Sequence, residues 1–411
     1  MSFWSTGKVT LRWLPSYLWQ RAVRRAPKGR VHLLICLADH FEPSVIPGTN
    51  GLHEESGVQE RRMERWCQEY PKLVRDWPDS DGQTFRHTYF FPAEQIQDSV
   101  LVRLIAHCHE GWGEIEIHLH HGADGPDTAE NTRRLLVRFR DYLAQRGCLS
   151  RMNGEGPARY AFVHGNFALA NSGNGQRCGV DNEMQILAET GCFADFTLPS
   201  APNVSQTAKI NSLYECGLPL HHRAPHRQGR DLEAGRAPAV FPLIVQGPLV
   251  MDWWRRRGRW HIPGFENGDL ATRRPPNVDR LRLWRRVPIG VRGRPDWLFV
   301  KLYCHGMDPR DEGAMLGEPM RQFLADLVAG CREGRYQLHF VTAREMVNIA
   351  LAACDGREGN PGDYRDYRLR LIRTAQVDRQ EHASRSLRSG NTDQEADGEQ
   401  VERLAERAGR I

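Results

Sequence analysis

Short apolar runs alternate with amphipathic segments of ten or more residues over most of this chain, and this alternation limits its fold more than any other feature. Runs such as VHLLICLADH (31–40) and EIEIHLHH (114–121) have the length and apolar character of buried strands. Segments such as TAENTRRLLVRFRDYLAQRG (128–147) have helical spacing and end at a glycine. Strands that alternate with helices form parallel β–α–β units. The pattern therefore predicts an α/β fold built as a (β/α) barrel, complete or incomplete.

Four regions of the chain differ in composition. Residues 1–30 are a basic, aromatic N-terminal arm with seven Lys or Arg and no acidic residue. Residues 31–370 carry the series of strands and helices and are expected to form the barrel. Within them, residues 203–290 are rich in Pro, Gly and Arg and are expected to be a long irregular insertion. Residues 371–411 are a charged tail that is expected to be disordered, because it has few large apolar residues.

Composition also narrows the compartment and the partners. The ten cysteines show no C-x-x-C pair, which favours free thiols in a reducing compartment. No stretch approaches the roughly 20 apolar residues that span a bilayer, and residues 1–30 lack the apolar core of a signal peptide. The net charge of +5 does not indicate a nucleic-acid partner. We expect a cytoplasmic protein whose arm either packs on the domain through Trp4, Trp13 and Trp19 or contacts an anionic membrane surface.

Polar side chains follow five of the apolar runs, at the points where the strands are expected to end. In parallel α/β folds the reacting groups gather at the carboxyl ends of the strands. These residues are therefore candidates for one shared site. They are Asp39 and His40, His118 and His120, His164 and Asn166, Asp195, and His305.

The segment EIEIHLHHG (114–122) holds the strongest signal for a metal. Side chains alternate along a strand, so His118 and His120 share one face and can converge on a single cation, whereas His121 points the other way. A ligand from another strand end would complete the site. The sequence predicts a divalent metal, with Zn²⁺ as the expected ion.

Three motifs resemble those of the NodB-homology polysaccharide deacetylases, carbohydrate esterase family 4. The motifs are ADHFEP (38–43), EIEIHLHHG (114–122) and KLYCHG (301–306). This resemblance implies an incomplete, seven-stranded barrel, a divalent metal and an acylated saccharide as substrate.

The resemblance also implies roles for single residues. Asp39 matches the general base and His305 matches the general acid. His40 stands where a metal-binding aspartate is usual, and His118 matches the first metal-binding histidine. The second such histidine usually comes four residues later, where this chain has a glycine, so His120 takes that role by analogy with relatives that read His-Leu-His. The predicted metal ligands are therefore His40, His118 and His120.

Further motifs resemble an uncharacterised deacetylase-like family associated with bacterial exopolysaccharide proteins. They include YFFPAEQ, FVHGNFAL, CGVDNE, GCFADFTLPSAP and FVTAREM, and they cover most of residues 31–370. His164, Asn166 and Asp195 lie in these motifs and are expected to bind substrate. The chain departs from the deacetylases in two ways: it has no Asp-Asp pair, and FVHGN lacks the Arg and Pro of their third motif.

The sequence thus predicts a metal-dependent hydrolase that removes an N- or O-acetyl group from a saccharide, free or lipid-linked, in polysaccharide or envelope synthesis. The metal would polarise the acetyl carbonyl, Asp39 would take a proton from water, and His305 would protonate the leaving group. A metal-dependent phosphoesterase or amidohydrolase and a glycan-binding barrel without turnover are the alternatives. Nucleic-acid binding through WWRRRGRWHIP (253–263) ranks last, and no nucleic-acid partner is expected.

Overall fold

The computed structural model of the protein describes residues 3–372 except 25, 26, 28, 50–52, 123, 174 and 258. The tail that was predicted to be disordered, residues 371–411, lies outside this range from residue 373 onward. The α-helices in the described part are α1 (Phe3–Val23), α2 (Ser56–Val74), α3 (Asp98–His107), α4 (Ala129–Gln145), α5 (Glu183–Thr190), α6 (Val278–Trp284), α7 (Glu312–Met315), α8 (Glu318–Arg332) and α9 (Ala343–Cys354).

The strands fall into one large sheet and two small ones. In chain order they are β1 (His32–His40), β2 (His87–Pro92), β3 (Gly113–Leu119), β4 (Ser150–Met152), β5 (Glu155–His164), β6 (Cys192–Asp195), β7 (Leu213–Glu215), β8 (Leu243–Val245), β9 (Val250–Asp252), β10 (Arg256–Arg257), β11 (Trp260–His261), β12 (Gly264–Glu266), β13 (Asp269–Leu270), β14 (Trp297–Cys304), β15 (Gln337–Phe340) and β16 (Leu369–Leu371).

The central sheet is mostly parallel, as the alternation of strands and helices predicted. Its main order is β13-β14-β1-β2-β3-β5-β6-β8-β7, and within this order only the β7/β8 pair is antiparallel. One edge of β1 has two partners. Its first half pairs with β15, and its second half pairs with β2. The α/β fold is confirmed. Among the described residues the order has two ends, so no closed ring of strands is found.

The sheet nevertheless curls, which brings distant strands face to face. Four strands separate β14 from β6 in the order, so they would lie about 24 Å apart in a flat sheet. Yet Nζ of Lys301 in β14 donates a hydrogen bond of 2.8 Å to the carbonyl oxygen of Phe196, directly after β6. A lysine side chain can make this bond only if the face that carries it is concave. We call this face the inner face and the opposite one the outer face.

The two faces of β1 have different neighbours because side chains alternate along a strand. Leu33, Ile35 and Leu37 point outward and pack with the helices that cover the sheet. The intervening residues point inward and belong to a second apolar cluster; they are Leu34, Cys36 and Ala38. By the same alternation, Asp39 belongs to the outer face and His40 to the inner face.

Helix α9 fills part of the concave side. All of its residues are buried, and its apolar side chains share the inner cluster with those of β1. Its Thr342 N-cap forms a capping box with Glu345, so the helix begins at a defined residue although no water reaches it. The helix packs on the inner side of β1 and β5, and the opposite ends of the strands carry the site described below.

The region 203–290 is less irregular than predicted. β7, β8 and β13 belong to the central sheet, and β9 to β12 form two small antiparallel sheets. The sequence did not assign any short element of this region to the sheet, because strands of two or three residues are too short to produce a periodic signal.

The N-terminal arm is a helix, α1, that packs on this same region. Trp13 and Tyr17 are buried in a cluster with Leu249. Trp19, by contrast, is 64% exposed, so the arm is anchored by Trp13 and not by Trp19. The side chain of Trp4 lies outside the described residues. None of the described helices combines the length and the apolar character that crossing a membrane requires.

Candidate functional site

Four histidines meet at the carboxyl ends of β1, β3 and β14 on the inner face. His40 ends β1, His118 is the penultimate residue of β3, and His120 and His305 follow β3 and β14 by one residue. The ring of His40 lies 4.8 Å from the rings of both His118 and His305, measured between centroids, and the rings of His118 and His120 are 4.5 Å apart. The structure therefore brings together four of the residues singled out in the sequence.

Glu42 joins these histidines, and the sequence analysis did not include it. Its Oε1 lies 2.9 Å from Nε2 of His118 and 3.4 Å from Nε2 of His120. These three side chains can offer donor atoms that all lie within 4.8 Å of one another, and so can Glu42 with His40 and His305. We call the five residues His40, Glu42, His118, His120 and His305 the mouth cluster.

The orientation of two imidazoles fits a metal. Nδ1 of His118 lies 3.0 Å from the carbonyl oxygen of Val163, and Nδ1 of His120 lies 2.8 Å from Oε1 of Glu94. Hydrogen bonds of this kind place a proton on Nδ1, so that release of the Nε2 proton frees the Nε2 lone pair for a metal. In a tetrahedral zinc site, neighbouring donor atoms are about 3.3 Å apart. The distances of 2.9 and 3.4 Å from Glu42 to the two Nε2 atoms match this spacing.

The charges around Glu42 also fit a cation. Burial alone would raise the pKa of Glu42, but the charge of His120 and hydrogen bonds from both histidines hold it well below its usual range. Burial would lower the pKa of His120, but Glu42 and Glu94 raise it to about 10. Two carboxylates beside one imidazole thus make a site that attracts positive charge, whether a proton or a metal ion supplies it.

The mouth cluster is buried on one side and open on the other. His40 and His118 are buried, whereas 26% of the His120 side chain and 15% of the Glu42 side chain are exposed. Catalytic metal sites keep such an open side for water and substrate, whereas structural metal sites are closed.

Asp39 does not join the mouth cluster, contrary to the prediction that it is the general base. It points to the outer face, where its Oδ2 lies 2.9 Å from Nδ1 of His87. Its Oδ1 accepts a hydrogen bond of 2.7 Å from the backbone N–H of Gly306. The reason is the alternation along β1, which sends Asp39 and His40 in opposite directions. Asp39 holds the turn that carries His305 and does not face the place where a substrate could bind.

The grouping of possible donor atoms differs from the predicted ligand set as well. His40 was predicted to bind the same metal as His118 and His120, but its donor atoms group with Glu42 and His305 instead. Burial, together with the nearby His305 and His118, holds the pKa of His40 well below its usual range. His40 is therefore a neutral imidazole whose ring lies between those of His118 and His305.

Of the three residues predicted to bind substrate, two are inaccessible, and the third, Asn166, is half-buried. His164 is fully buried and its ring lies 4.8 Å from that of His121. Asn166 donates its backbone N–H to Nδ1 of His164 at 3.2 Å. Asp195 is fully buried and both of its oxygens accept hydrogen bonds from Thr197. Burial raises its pKa to about 7 although the bonds from Thr197 oppose this. A saccharide cannot reach His164 or Asp195 in this arrangement.

Glu42 and Glu94 are the site residues that the sequence analysis missed. Glu42 is two positions after His40, so the same alternation that pairs His118 with His120 could have pointed to it. Glu94 follows the end of β2 in YFFPAEQ, at the same edge of the sheet as the histidines.

No protein-family model, curated protein or solved structure matches this chain.

Proposed function

We propose that the protein is a metal-dependent hydrolase in which His118, His120 and Glu42 hold a divalent ion, with Zn²⁺ as the expected one. One observation carries the proposal. Nε2 of both histidines points at the same carboxylate oxygen of Glu42, while Nδ1 of each is bonded to an outer acceptor. A buried set of donors with this polarity, open to solvent on one side, suits a catalytic metal.

The bound metal would supply a Lewis acid that polarises a carbonyl oxygen and makes water more acidic. The chain supplies the proton transfer. His40 is neutral, its Nδ1 has no hydrogen-bond partner among the described residues, and its ring lies beside that of His305. We assign to this pair the acceptance of one proton from the attacking water and the donation of one to the leaving group. Glu94 keeps His120 in the required tautomer.

An acylated saccharide, free or lipid-linked, is the proposed substrate, and its deacetylation would belong to polysaccharide or envelope synthesis. The motifs that resemble polysaccharide deacetylases support this proposal. Trp253, Trp254 and Trp260 are exposed near the β10/β11 hairpin and offer aromatic faces on which sugars can stack. We also propose that the curled sheet is an incomplete, seven-stranded barrel. The hydrogen bond between Lys301 and Phe196 supports this proposal.

A phosphoesterase is the second candidate, and a cavity of about 230 Å³ between α2 and the turn after β14 favours it, although none of its lining residues belongs to the mouth cluster. Arg61, Arg62 and Arg65 lie along that cavity, and guanidinium groups bind phosphate well. Two of them already have carboxylate partners, since Arg62 pairs with Glu54 and Arg65 with Glu312. This pairing weakens the case for phosphate, so deacetylation stays first.

The decisive experiment compares the purified wild type with a Glu42→Gln variant and a His118→Ala/His120→Ala variant. We expect both variants to lose the metal of the mouth cluster and the wild type alone to release acetate from acetylated chito-oligosaccharides. Release of phosphate from aryl phosphates instead would establish the second candidate. Equal metal content in all three proteins would refute the site, and metal binding without any turnover would leave a binding protein.

A further inference from the structure

A second group of possible ligands lies behind the mouth cluster, and all of its members are buried. His121 follows β3, His164 ends β5, Cys178 lies in the loop before α5, and Glu183 is the first residue of α5. One donor atom from each lies within 4.8 Å of every other. We call these four residues the buried cluster.

We propose that the buried cluster binds a second divalent metal ion, of the zinc type, in a closed structural site. The site goes beyond the proposed function, because it has no open side on which a substrate could react. The ion would join the carboxyl ends of β3 and β5 to the loop and helix that follow them.

The donor atoms converge on Glu183. Its Oε1 lies 2.8 Å from Nε2 of His121 and 3.8 Å from Nε2 of His164, and its Oε2 lies 3.7 Å from Sγ of Cys178. Two imidazoles, one thiolate and one carboxylate form a ligand set that zinc accepts in tetrahedral geometry. Their combined charge of minus two cancels that of a divalent ion. A neutral assembly avoids the large free-energy cost of an unpaired charge in a buried place.

The surroundings hold the ligands as they do in metal sites. Nδ1 of His121 lies 3.0 Å from Oδ2 of Asp127, which also accepts a hydrogen bond of 2.9 Å from the hydroxyl of Thr132. A carboxylate behind a metal-binding histidine fixes the tautomer that exposes Nε2. The backbone N–H of Val180 points at Sγ of Cys178 from 3.5 Å, which stabilises a thiolate.

His164 supplies an independent sign of a ligand. Its Nε2 is fully buried, points into the cluster and has no hydrogen-bond partner among the described residues. Buried polar atoms without partners are rare in proteins, so the atom requires an explanation, and an ion is one. If Nε2 binds a metal, the ring proton is on Nδ1. Nδ1 can then no longer accept the long hydrogen bond of 3.2 Å from the Asn166 N–H, so that bond is lost when metal binds.

The backbone around the buried cluster is shaped for this contact. Gly122 has a φ of +65°, and a Cβ at this position would lie 2.5 Å from the backbone nitrogen of Cys178. Only glycine allows the Cys178 loop to come this close to the end of β3. The same approach brings Sγ next to His121 and Glu183.

Without a metal, the cluster would be a hydrogen-bonded group in which a charged His121 lies between the carboxylates of Asp127 and Glu183. That arrangement gives both ring nitrogens of His121 a carboxylate partner. However, Nε2 of His164 and the thiol of Cys178 then face the carboxylate of Glu183, which already pairs with His121. Metal binding releases the thiol proton and the extra imidazole proton to solvent, and it gives all four side chains the same partner.

Metal content and a sulfur-specific signal test the proposal on the full chain. We expect the wild type to hold two ions, Cys178→Ser to hold one, and His118→Ala/His120→Ala to hold one. After exchange with Co²⁺, a thiolate-to-cobalt charge-transfer band should appear in the wild type and in His118→Ala/His120→Ala and should be absent in Cys178→Ser. Cys304→Ser is the matched control, because Cys304 lies near His87 and Asp39 in another group of donors, and it should keep the band.

A wild type without the band, or a Cys178→Ser variant with unchanged band and metal content, would overturn the proposal. Should Cys178→Ser fail to fold, X-ray absorption of the zinc-loaded wild type and of Cys304→Ser decides the matter. A Zn–S distance of about 2.3 Å in both proteins supports the site, and nitrogen and oxygen neighbours alone overturn it. Activity enters none of these measurements, so the proposed function can fail while this site stands.

Discussion

Several histidines at strand ends are followed by a glycine, and in each case a neighbouring group occupies the space of the missing side chain. At Gly165 this group is the ring of His120, since a Cβ would lie 2.6 Å from its Cγ. The tight packing of a ring against backbone limits where the ring can turn. The orientation of His120 that the proposed metal site requires therefore depends on a residue that has no side chain. The three pairs are His121 with Gly122, His164 with Gly165, and His305 with Gly306.

Gly165→Ala should displace His120 and weaken the mouth cluster. We expect metal affinity there to fall about 10- to 100-fold, as it does when a supporting contact of a ligand is lost. Overpacking should also lower the free energy of unfolding by about 1–3 kcal/mol. Metal titration and urea unfolding measure the two effects. Gly313→Ala is the control, because a Cβ there meets no atom within 4 Å; equal effects of both substitutions would contradict the argument.

Asp39→Asn separates a positioning role from the general-base role that the sequence predicted. Loss of a general base lowers the rate by about 10²–10⁴-fold. Because asparagine can still accept the Gly306 N–H and is the same size, we expect a loss below about 10-fold and an unchanged metal content. Steady-state kinetics with metal analysis tests this, and a loss of 10³-fold at full metal occupancy would restore Asp39 as the base.

The sequence could predict which strand ends carry chemistry, but not every direction in which the side chains point. His118 and His120 were paired correctly because acidic and aliphatic residues alternate before them. In VHLLICLADH both faces of the strand are apolar, so nothing in the sequence fixes whether Asp39 or His40 points inward. Glu183 and Cys178 come from a loop and helix distant in the chain, and only the folded backbone brings them to His121.

At the scale of elements, helix α9 is unusual because it carries charged residues into the interior. Burial alone would raise the pKa of Glu345, but the charges of Arg86, Arg365 and Arg344 lower it to about 2. Its carboxylate lies 2.7 Å from Arg86 and 3.4 Å from Arg365, and it accepts the backbone N–H of Thr342 at 3.0 Å. The start of the helix is thus fixed by ion pairs that are largely buried.

Glu345→Gln should remove the carboxylate that pairs with the largely buried Arg86 and lower the free energy of unfolding at pH 7 by about 3–5 kcal/mol, whereas Arg344 and Arg365 keep other carboxylate partners. The folded-state pKa lies below the unfolded value of 4.5, so this contribution is fully present above about pH 4.5 and is lost as the pH falls toward 2. The difference between wild type and variant should narrow over that range in urea unfolding. Asp279→Asn, which breaks an exposed pair with Arg282, should show no such trend.

At the scale of the whole molecule, the curl of the sheet depends on contacts between strands far apart in sequence. The alternation of strands and helices predicted a parallel sheet because each unit is local. The strands at the two ends of the sheet are β13 on one side and β7 and β8 on the other. They come from the region of the sequence that carried no periodic signal. Lys301 joins the two sides of the curl, and burial lowers its pKa to about 8.

Lys301→Met should change how stability depends on pH. The unfolded chain holds the lysine proton up to about pH 10.5, whereas the folded chain gives it up near pH 8. The unfolded state therefore binds more protons between these values, and the stability of the wild type should rise with pH there by up to about 3 kcal/mol relative to the variant. Unfolding curves at pH 7.5 and pH 10 measure the difference; Lys72→Met, at an exposed site, should show none.

The position of α9 on the concave side has a consequence for biosynthesis. Chains emerge from the ribosome with the N-terminal end first, so β1 to β15 exist before residues 343–354 are made. Until those residues arrive, the apolar lining of the concavity has no cover and is open to chaperones or to other unfinished chains. A nascent chain that stalls before Ala343 would expose this apolar surface, and α9, the last α-helix among the described residues, covers it.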